Sequence, residues 1–390
     1  MNEHRFTRRQ EIIFLAMVSL FWFAQYIYIP YQTAYLILCG VSSSFTGLVI
    51  GAYGISQLVL RFPIGLCADC AGRHKGFLMA GTLLAGLASV LRITGCSGPA
   101  FLAANLLSGM ASAMWISFMV FYTGHYTETE QQTATSRIVL FNNLGMLMGF
   151  LTSTLTYDRI GMRGICFVSI CAGILAFAIS FFIQEEGSLV KGKKKRDLLM
   201  CCKGKRLWFF SFLALIQQGI QLTAAMSFTN QIIKDLGASD GLLGLSSVIY
   251  MLSAVFFAAF ASGGGCKRKG SQFWIPMVFV IVSVYCVLVP VIESIPVLLL
   301  LQILPGMSTG ILFSYLTCEA MSGIPASCKA TAMGFFQAVY AVGMTVFPAI
   351  TGVLASKMGM RTGYMMLAAF SLLGWGVSFQ HYKSWKKTGA

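Results

Sequence analysis

Two oppositely charged side chains, Arg61 and Asp69, stand eight positions apart in an otherwise apolar stretch. At 1.5 Å rise per residue, a helix separates them by about 12 Å, with the cation deeper than the carboxylate. An arginine at that depth offers a cationic anchor for an anionic solute; the structural alternative is a snorkelling or helix-bridging guanidinium. Pro63 between them frees a carbonyl and allows local bending. Gly65, Asp69, Gly72, Arg73 and Lys75 belong to the run G-L-C-A-D-C-A-G-R-H-K. This run sets a carboxylate, a turn glycine and basic residues at one helix end. Asp69 is suited to cap a helix N-terminus, whose free N–H groups and dipole favour an anion. Arg73 is suited to pair with a carboxylate or with Asp69 itself. A cluster of this kind can latch two bundles in one state and release them in another. Read structurally, it is a charged turn.

Neutral polar residues form a second group. Gln25, Tyr28 and Gln32 recur at i, i+3 and i+7, one stripe on a helix. Gln218 and Gln221 repeat the pattern later in the chain, and Asn142, Asn143, Tyr315, Gln337 and Tyr340 fall within apolar runs. Interhelical hydrogen bonding explains each as readily as ligand contact does. A cavity walled by these amides and tyrosines with Trp115 suits a small organic molecule with polar and apolar surface. Neither a mid-span carboxylate nor a histidine relay is visible. Asp158, Glu293 and Glu319 sit near span ends, and His4, His74, His125 and His381 lie at one side or its boundary. Arg92, near the end of its span, reads as a snorkelling side chain.

The elements that must position these groups follow from composition. The 390 residues are 57% hydrophobic and 11% charged, with mean hydropathy +0.75. Soluble domains carry about 25% charged residues, so a soluble enzyme, a disordered chain and a secreted disulfide scaffold are excluded. The twelve cysteines lie in apolar segments or basic loops, where a disulfide framework has no use. Cys67 and Cys70 form a CxxC without a second pair at metal spacing, so no metal site is expected. Cys201 and Cys202 could be acylated, although a structural role is the simpler reading.

A crossing helix needs about 20 mostly apolar residues. Twelve such spans are expected at 11–38, 45–69, 75–97, 99–124, 133–157, 161–184, 205–232, 242–263, 271–293, 295–319, 329–355 and 359–382. Basic residues precede the first, as in a signal peptide, but the apolar run is too long and no small-residue cleavage site follows. An even span count puts both termini on one side. If that side is cytoplasmic, twenty-one Lys and Arg residues lie inside and five outside: Arg159, Arg163, Lys234, Lys357 and Arg361. The positive-inside rule then sets the orientation, with both termini cytoplasmic in a multi-pass cell membrane protein. The net charge of +15 has the same source. The run Lys191–Arg196 is expected to meet anionic headgroups at the inner face rather than nucleic acid.

The spans are duplicated. Asn105-Leu-Leu-Ser-Gly-Met-Ala-Ser in span four matches Gln302-Ile-Leu-Pro-Gly-Met-Ser-Thr in span ten. Gly109 and Gly306, Met110 and Met307, and Ser117 and Ser314 keep one offset of 197. Span eleven likewise echoes span five. The expected fold is an all-α membrane protein of twelve transmembrane helices in two pseudo-symmetric six-helix bundles. Its divisions are 1–184, a basic linker 185–204, and 205–390. Duplicated halves can rock about a midplane site and open it to each side in turn.

The run from Gly65 to Lys75 resembles the G-x-x-x-D-x-x-G-R-x-K/R signature of the major facilitator superfamily. The resemblance extends through the spans, the repeat and the basic central loop to nearly the whole chain. It implies alternating access, with Asp69 and Arg73 in an inner latch and spans one, four, seven and ten lining a cavity. The matching stretch of the second half, ending in Lys267-Arg268-Lys269, lacks the acid. Proton-coupled antiporters of this superfamily usually carry Arg where this chain has Asn105, which weakens that match.

The expected function is secondary transport of a small organic solute by a chain that is not an enzyme and needs no cofactor. Substrate-lining residues are expected at Gln25, Tyr28, Gln32, Arg61, Trp115, Asn142, Gln218, Gln221, Tyr315 and Gln337. The alternatives are a lipid or lipophilic-compound flippase or drug efflux pump of the same fold, or a non-transporting receptor. No GxxxxGK[ST] motif supports ATP-driven transport. A monomer without nucleic-acid partners is expected.

Overall fold

Apolar runs of this length fold as helices because only a helix satisfies its own backbone polar groups away from water. The computed structural model describes residues 6–41, 43–95, 97–185 and 195–387. The described residues form helices joined by short turns, with no β-strand among them. Lys191, Lys193 and Lys194 of the basic run lie outside them.

Among the described residues, ten helical stretches are long and apolar enough to cross a membrane. One of these, Glu128–Ser180, includes the two arms of Gln131–Ser180, which meet at Gly161 (φ 61, ψ −173), where spans five and six were expected to separate. A positive φ costs glycine nothing, so one residue makes the break. Ser43–Ala71 adds a 29-residue helix at span two. The architecture agrees with the twelve-helix all-α membrane fold.

Several spans are interrupted. Span one runs as Arg8–Tyr26 and Ile29–Leu38, broken at Ile27–Tyr28 just before Pro30, which lacks an N–H. Span seven contains the π-helical stretch Gln221–Phe228, and span ten contains another at Ser308–Leu312. Such wide turns inside α-helices often mark functional positions.

The chain divides into two compact units. The first comprises 1–134, 141–204 and 321–338; the second comprises 135–140, 205–320 and 339–390. In the first unit, Ser43–Ala71 and Lys75–Thr94 both pack against Gly98–Ala113. Gly86 and Gly173 bring two backbones together: a Cβ on Gly86 would lie 3.4 Å from the Cα of Gly173. Small residues permit such close crossings where lipid removes the hydrophobic drive for association. An aromatic cluster of Phe14, Phe21, Trp22, Trp115 and Phe118 fills the space between spans one and four. In the second unit, Ser271–Leu288 packs on Met360–Lys387, and Asp240–Ser262 packs on the segments of span ten. Leu155, Phe182 and Leu300 are largely exposed, as lipid-facing residues should be.

Candidate functional site

The start of helix Lys329–Met358 packs within the first unit. The first N–H groups of any helix lack intrahelical acceptors and carry partial positive charge. Here Asp69 accepts two of them, Ala330 N at 3.1 Å and Thr331 N at 2.5 Å, and the Thr331 hydroxyl at 2.6 Å. Gly65 makes the approach possible, since a Cβ there would run into the Ala330 carbonyl and lie 3.2 Å from the Gly334 Cα. Gly72, at φ 61, turns the chain just beyond helix Ser43–Ala71. Deeper along the same helix, Arg61 donates to the Gln337 carbonyl at 3.2 Å and to the Gln57 side-chain oxygen. Arg61 and Asp69 thus hold one helix at two levels.

Arg73 is exposed, whereas Lys75 donates through Nζ to the Phe181 carbonyl at 3.0 Å. Glu185, which carried no signal in the sequence, accepts the backbone N–H groups of His74 and Lys75 at the start of span three. Burial pushes the His74 imidazole below its ordinary range, and the Glu185 charge partly offsets this. Because the folded pKa is the lower one, the unfolded chain takes up more protons as pH falls through about 6.5. Stability should therefore decline from pH 7 to pH 5, and His74→Gln should flatten that part of the slope. Thermal unfolding midpoints of both proteins in nanodiscs across this range check the expectation.

The polar stripe of span one faces span four within the first unit. Gln25 donates to the Ser108 carbonyl at 3.1 Å, and the Tyr28 hydroxyl reaches Ser108 Oγ at 3.3 Å. Arg92 was expected to snorkel but lies buried in this group. It donates to Ser89 Oγ at 3.1 Å, Asn105 Oδ1 at 2.8 Å and Ser108 Oγ at 2.8 Å, with the Tyr28 ring 3.6 Å from its Cζ. Three neutral oxygens offer the guanidinium an alternative to the membrane surface. None carries the opposite charge, so the cost of burying this cation, several kcal/mol for an ion in a protein interior, is offset by dipoles alone. Nearby, Tyr53 and Ser112 share a 2.6 Å hydrogen bond.

The second unit repeats this arrangement in neutral form. Gln221, in the π-helical stretch of span seven, donates to the Tyr250 hydroxyl at 2.7 Å. Tyr250 pairs with Thr309, in the π-helical stretch of span ten, also at 2.7 Å. Tyr53, Ser112, Asn105 and Gly109 recur 197 residues later as Tyr250, Thr309, Gln302 and Gly306. The duplication therefore reaches side-chain geometry. Gln217 donates to Gln221 Oε1 at 2.9 Å and Ser308 Oγ at 3.3 Å, so it shares their face, while Gln218 is half-buried beside it. Tyr315 donates to Cys266 Sγ at 3.4 Å.

Several amides carry buried polar atoms with no hydrogen-bond partner among the described residues. In the first unit these are Gln25 Oε1, Gln32 Oε1, Asn142 Oδ1, Asn143 Nδ2 and both side-chain polar atoms of Gln337; in the second unit, Gln217 Oε1 is another. Buried polar groups are nearly always paired, so such a concentration calls for an explanation. Trp115 packs edge-on against Trp22 with centroids 5.2 Å apart, in an aromatic core that includes Phe118. Among the described residues no group of three or more His, Cys, Asp or Glu is placed to hold a metal ion.

The family model of the Major Facilitator Superfamily matches residues 12–337. The chain belongs to the major facilitator superfamily. As a superfamily member it is a multi-pass membrane protein of the transporter class, whose members bind small-molecule substrates. It is 24% identical over 368 residues to an uncharacterised MFS-type transporter of Methanocaldococcus jannaschii, covering 88% of this chain and 90% of that one. An uncharacterised transporter of Schizosaccharomyces pombe is 31% identical over 147 residues, 36% of this chain and 26% of that one. The crystal structure of the human organic anion transporter MFSD10 superposes with TM-score 0.78 at 16% identity, covering 95% of this chain and 99% of that one. At that identity the likeness is one of fold.

Proposed function

We propose that this superfamily member carries a small organic solute across the cell membrane by alternating access, without ATP. The observation that supports this reading is the set of buried amide atoms lacking protein partners on the polar stripes, above all Gln337. Amides held in this way can exchange hydrogen bonds with a passing solute without dismantling a finished network. In this reading the substrate path draws on Gln25, Tyr28, Gln32, Arg61, Asn142, Gln217, Gln221 and Gln337. The bundles 1–184 and 205–390 rock about it, joined by the linker 185–204. Asp69 at the N-terminus of span eleven acts as the inner latch, with Gly65, Gly72, Arg73 and Lys75 shaping and charging that end. Both termini face the cytoplasm, the basic linker meets anionic headgroups, and the protein works as a monomer. The human relative named as an organic anion transporter suggests where a compound screen should begin.

The test is flux in proteoliposomes, using a compound selected from a metabolite and drug library by thermal shift. Gln337→Leu should reduce that flux at least tenfold. Replacing an amide whose partners are missing with an apolar side chain of similar size is nearly neutral or favourable for folding. The unfolding midpoint should therefore hold or rise. Unchanged flux in this variant would remove Gln337 from the path. Wild-type vesicles that move no selected compound would overturn the transport reading itself.

A further inference from the structure

Arg92 is a buried cation of the first unit that the proposed solute path does not require. Its guanidinium has five N–H donors. Ser89, Asn105 and Ser108 take three, and Nε, fully enclosed, has no partner among the described residues. All three acceptors are neutral, and the side chain makes no ion pair among the described residues. Arg61 likewise donates to neutral oxygens, the Gln337 carbonyl and the Gln57 amide, but it belongs to the proposed solute path.

The surroundings show how the charge could be reached. Tyr28 covers it, and Tyr28 occupies the break between Arg8–Tyr26 and Ile29–Leu38. Its carbonyl accepts the N–H groups of Tyr31 at 3.3 Å and Gln32 at 3.1 Å, and its hydroxyl bond to Ser108, at 3.3 Å, is longer than the typical 2.7–2.8 Å. The covering ring stands at the junction of the two helices of span one. Helix interruptions in transporters commonly place backbone and side-chain dipoles around an ion or a charged substrate group.

We propose that Arg92, with Asn105 and Ser108 holding its guanidinium and Tyr28 as a movable cover, is an anion-binding site that takes a small carboxylate or halide. The proposal rests on the transport reading only for the meaning of the site; binding itself can be measured without transport. The bound species is monovalent and compact, since one guanidinium with two remaining donors supplies one positive charge. If the ligand is the carboxylate of the carried solute, Arg92 sets the substrate class as organic anions. If it is a halide, the site is a cofactor-like ion site within the first unit.

The experiment uses the full chain in nanodiscs of phosphatidylcholine, so that the lipid brings no net negative charge. Sodium acetate and sodium chloride are titrated separately, with ionic strength held constant by a bulky sulfonate salt, and the unfolding midpoint is recorded. A ligand that binds only the folded state raises the midpoint with ligand concentration in the form ln(1 + [L]/Kd). The expected result is a rise of this form with one of the two anions, acetate marking a carboxylate site and chloride a halide site. Arg92→Gln should abolish the rise. Arg92→Lys should need at least tenfold more anion for the same rise, because an ammonium keeps the charge but not the fork. Arg159→Gln, at an exposed cation of the first unit, should leave the response in place.

Wild-type protein that responds to neither anion overturns the proposal, as does Arg92→Gln that responds like wild type. The two readings fail separately. An Arg92-dependent anion response in vesicles that carry no solute sinks transport and keeps the site. Solute flux without an anion response does the reverse.

Discussion

Asp69→Ala is expected to lower flux at least tenfold and to expose Cys328 to a maleimide reagent. Asp69 accepts the N–H groups of Ala330 and Thr331 and also the Thr331 hydroxyl. Removing a side-chain cap costs about 0.5–2 kcal/mol, and each buried donor left without a partner adds about 1–3 kcal/mol. If the latch belongs to one of two transport states, that state loses population relative to the other. A shift of about 1.4 kcal/mol already changes the ratio tenfold. Cys328 is fully buried one residue before the capped helix, and Cys202 is nearly so. Peptide-resolved mass spectrometry distinguishes their labelling from that of exposed Cys39, Cys67 and Cys171. Asp69→Asn keeps one acceptor oxygen and loses the charge, so it should fall between wild type and alanine. If Cys328 labels equally in all three proteins, Asp69 does not hold this helix.

The legibility of these features in the sequence divides along physical lines. The spans, the duplication and the turn at Gly72 were readable because hydropathy, periodicity and a positive-φ glycine are local properties. Span boundaries were looser where helices meet without a loop: at Gly161 a single residue separates two arms that the sequence set three residues apart. Arg92 was misplaced for a different reason. Near the end of a span, an arginine can reach water or turn inward, and the choice depends on acceptors from another helix. Those acceptors, Asn105 and Ser108, were visible in the sequence, but their distance from Arg92 was not. Glu185 escaped notice because it lies far along the chain from the N–H groups it meets. Gln217 and Gln218 are neighbours, and contacts with Gln221 and Ser308 rather than spacing alone distinguish them.

The repeat makes a quantitative demand on glycine. A Cβ on Gly109 would lie 2.6 Å from both the Ser56 Cβ and the Tyr53 carbonyl oxygen; one on Gly306 would lie 2.5 Å from the Ser253 Cβ and 2.7 Å from the Tyr250 carbonyl oxygen. The glycines and both of their partners keep the offset of 197 residues. Both glycines therefore solve one packing problem, the crossing of span two with span four and of span eight with span ten. Backbone carbonyls cannot step aside as a flexible side chain does, so a valine forces the helices apart. Overpacking of a tight core costs about 1–3 kcal/mol and occasionally more. Gly109→Val and Gly306→Val should each reach the upper part of that range or beyond. The loss should appear as a lower unfolding midpoint and a reduced yield of folded protein. The crossings lie in different compact units, so the two losses should also add within about 0.5 kcal/mol when the variants are combined. A tolerated valine at either glycine would show that the two crossings are not equivalent in packing. The chemical pairs beside them, Tyr53 with Ser112 and Tyr250 with Thr309, would then owe their likeness to ancestry alone and not to a shared mechanical role.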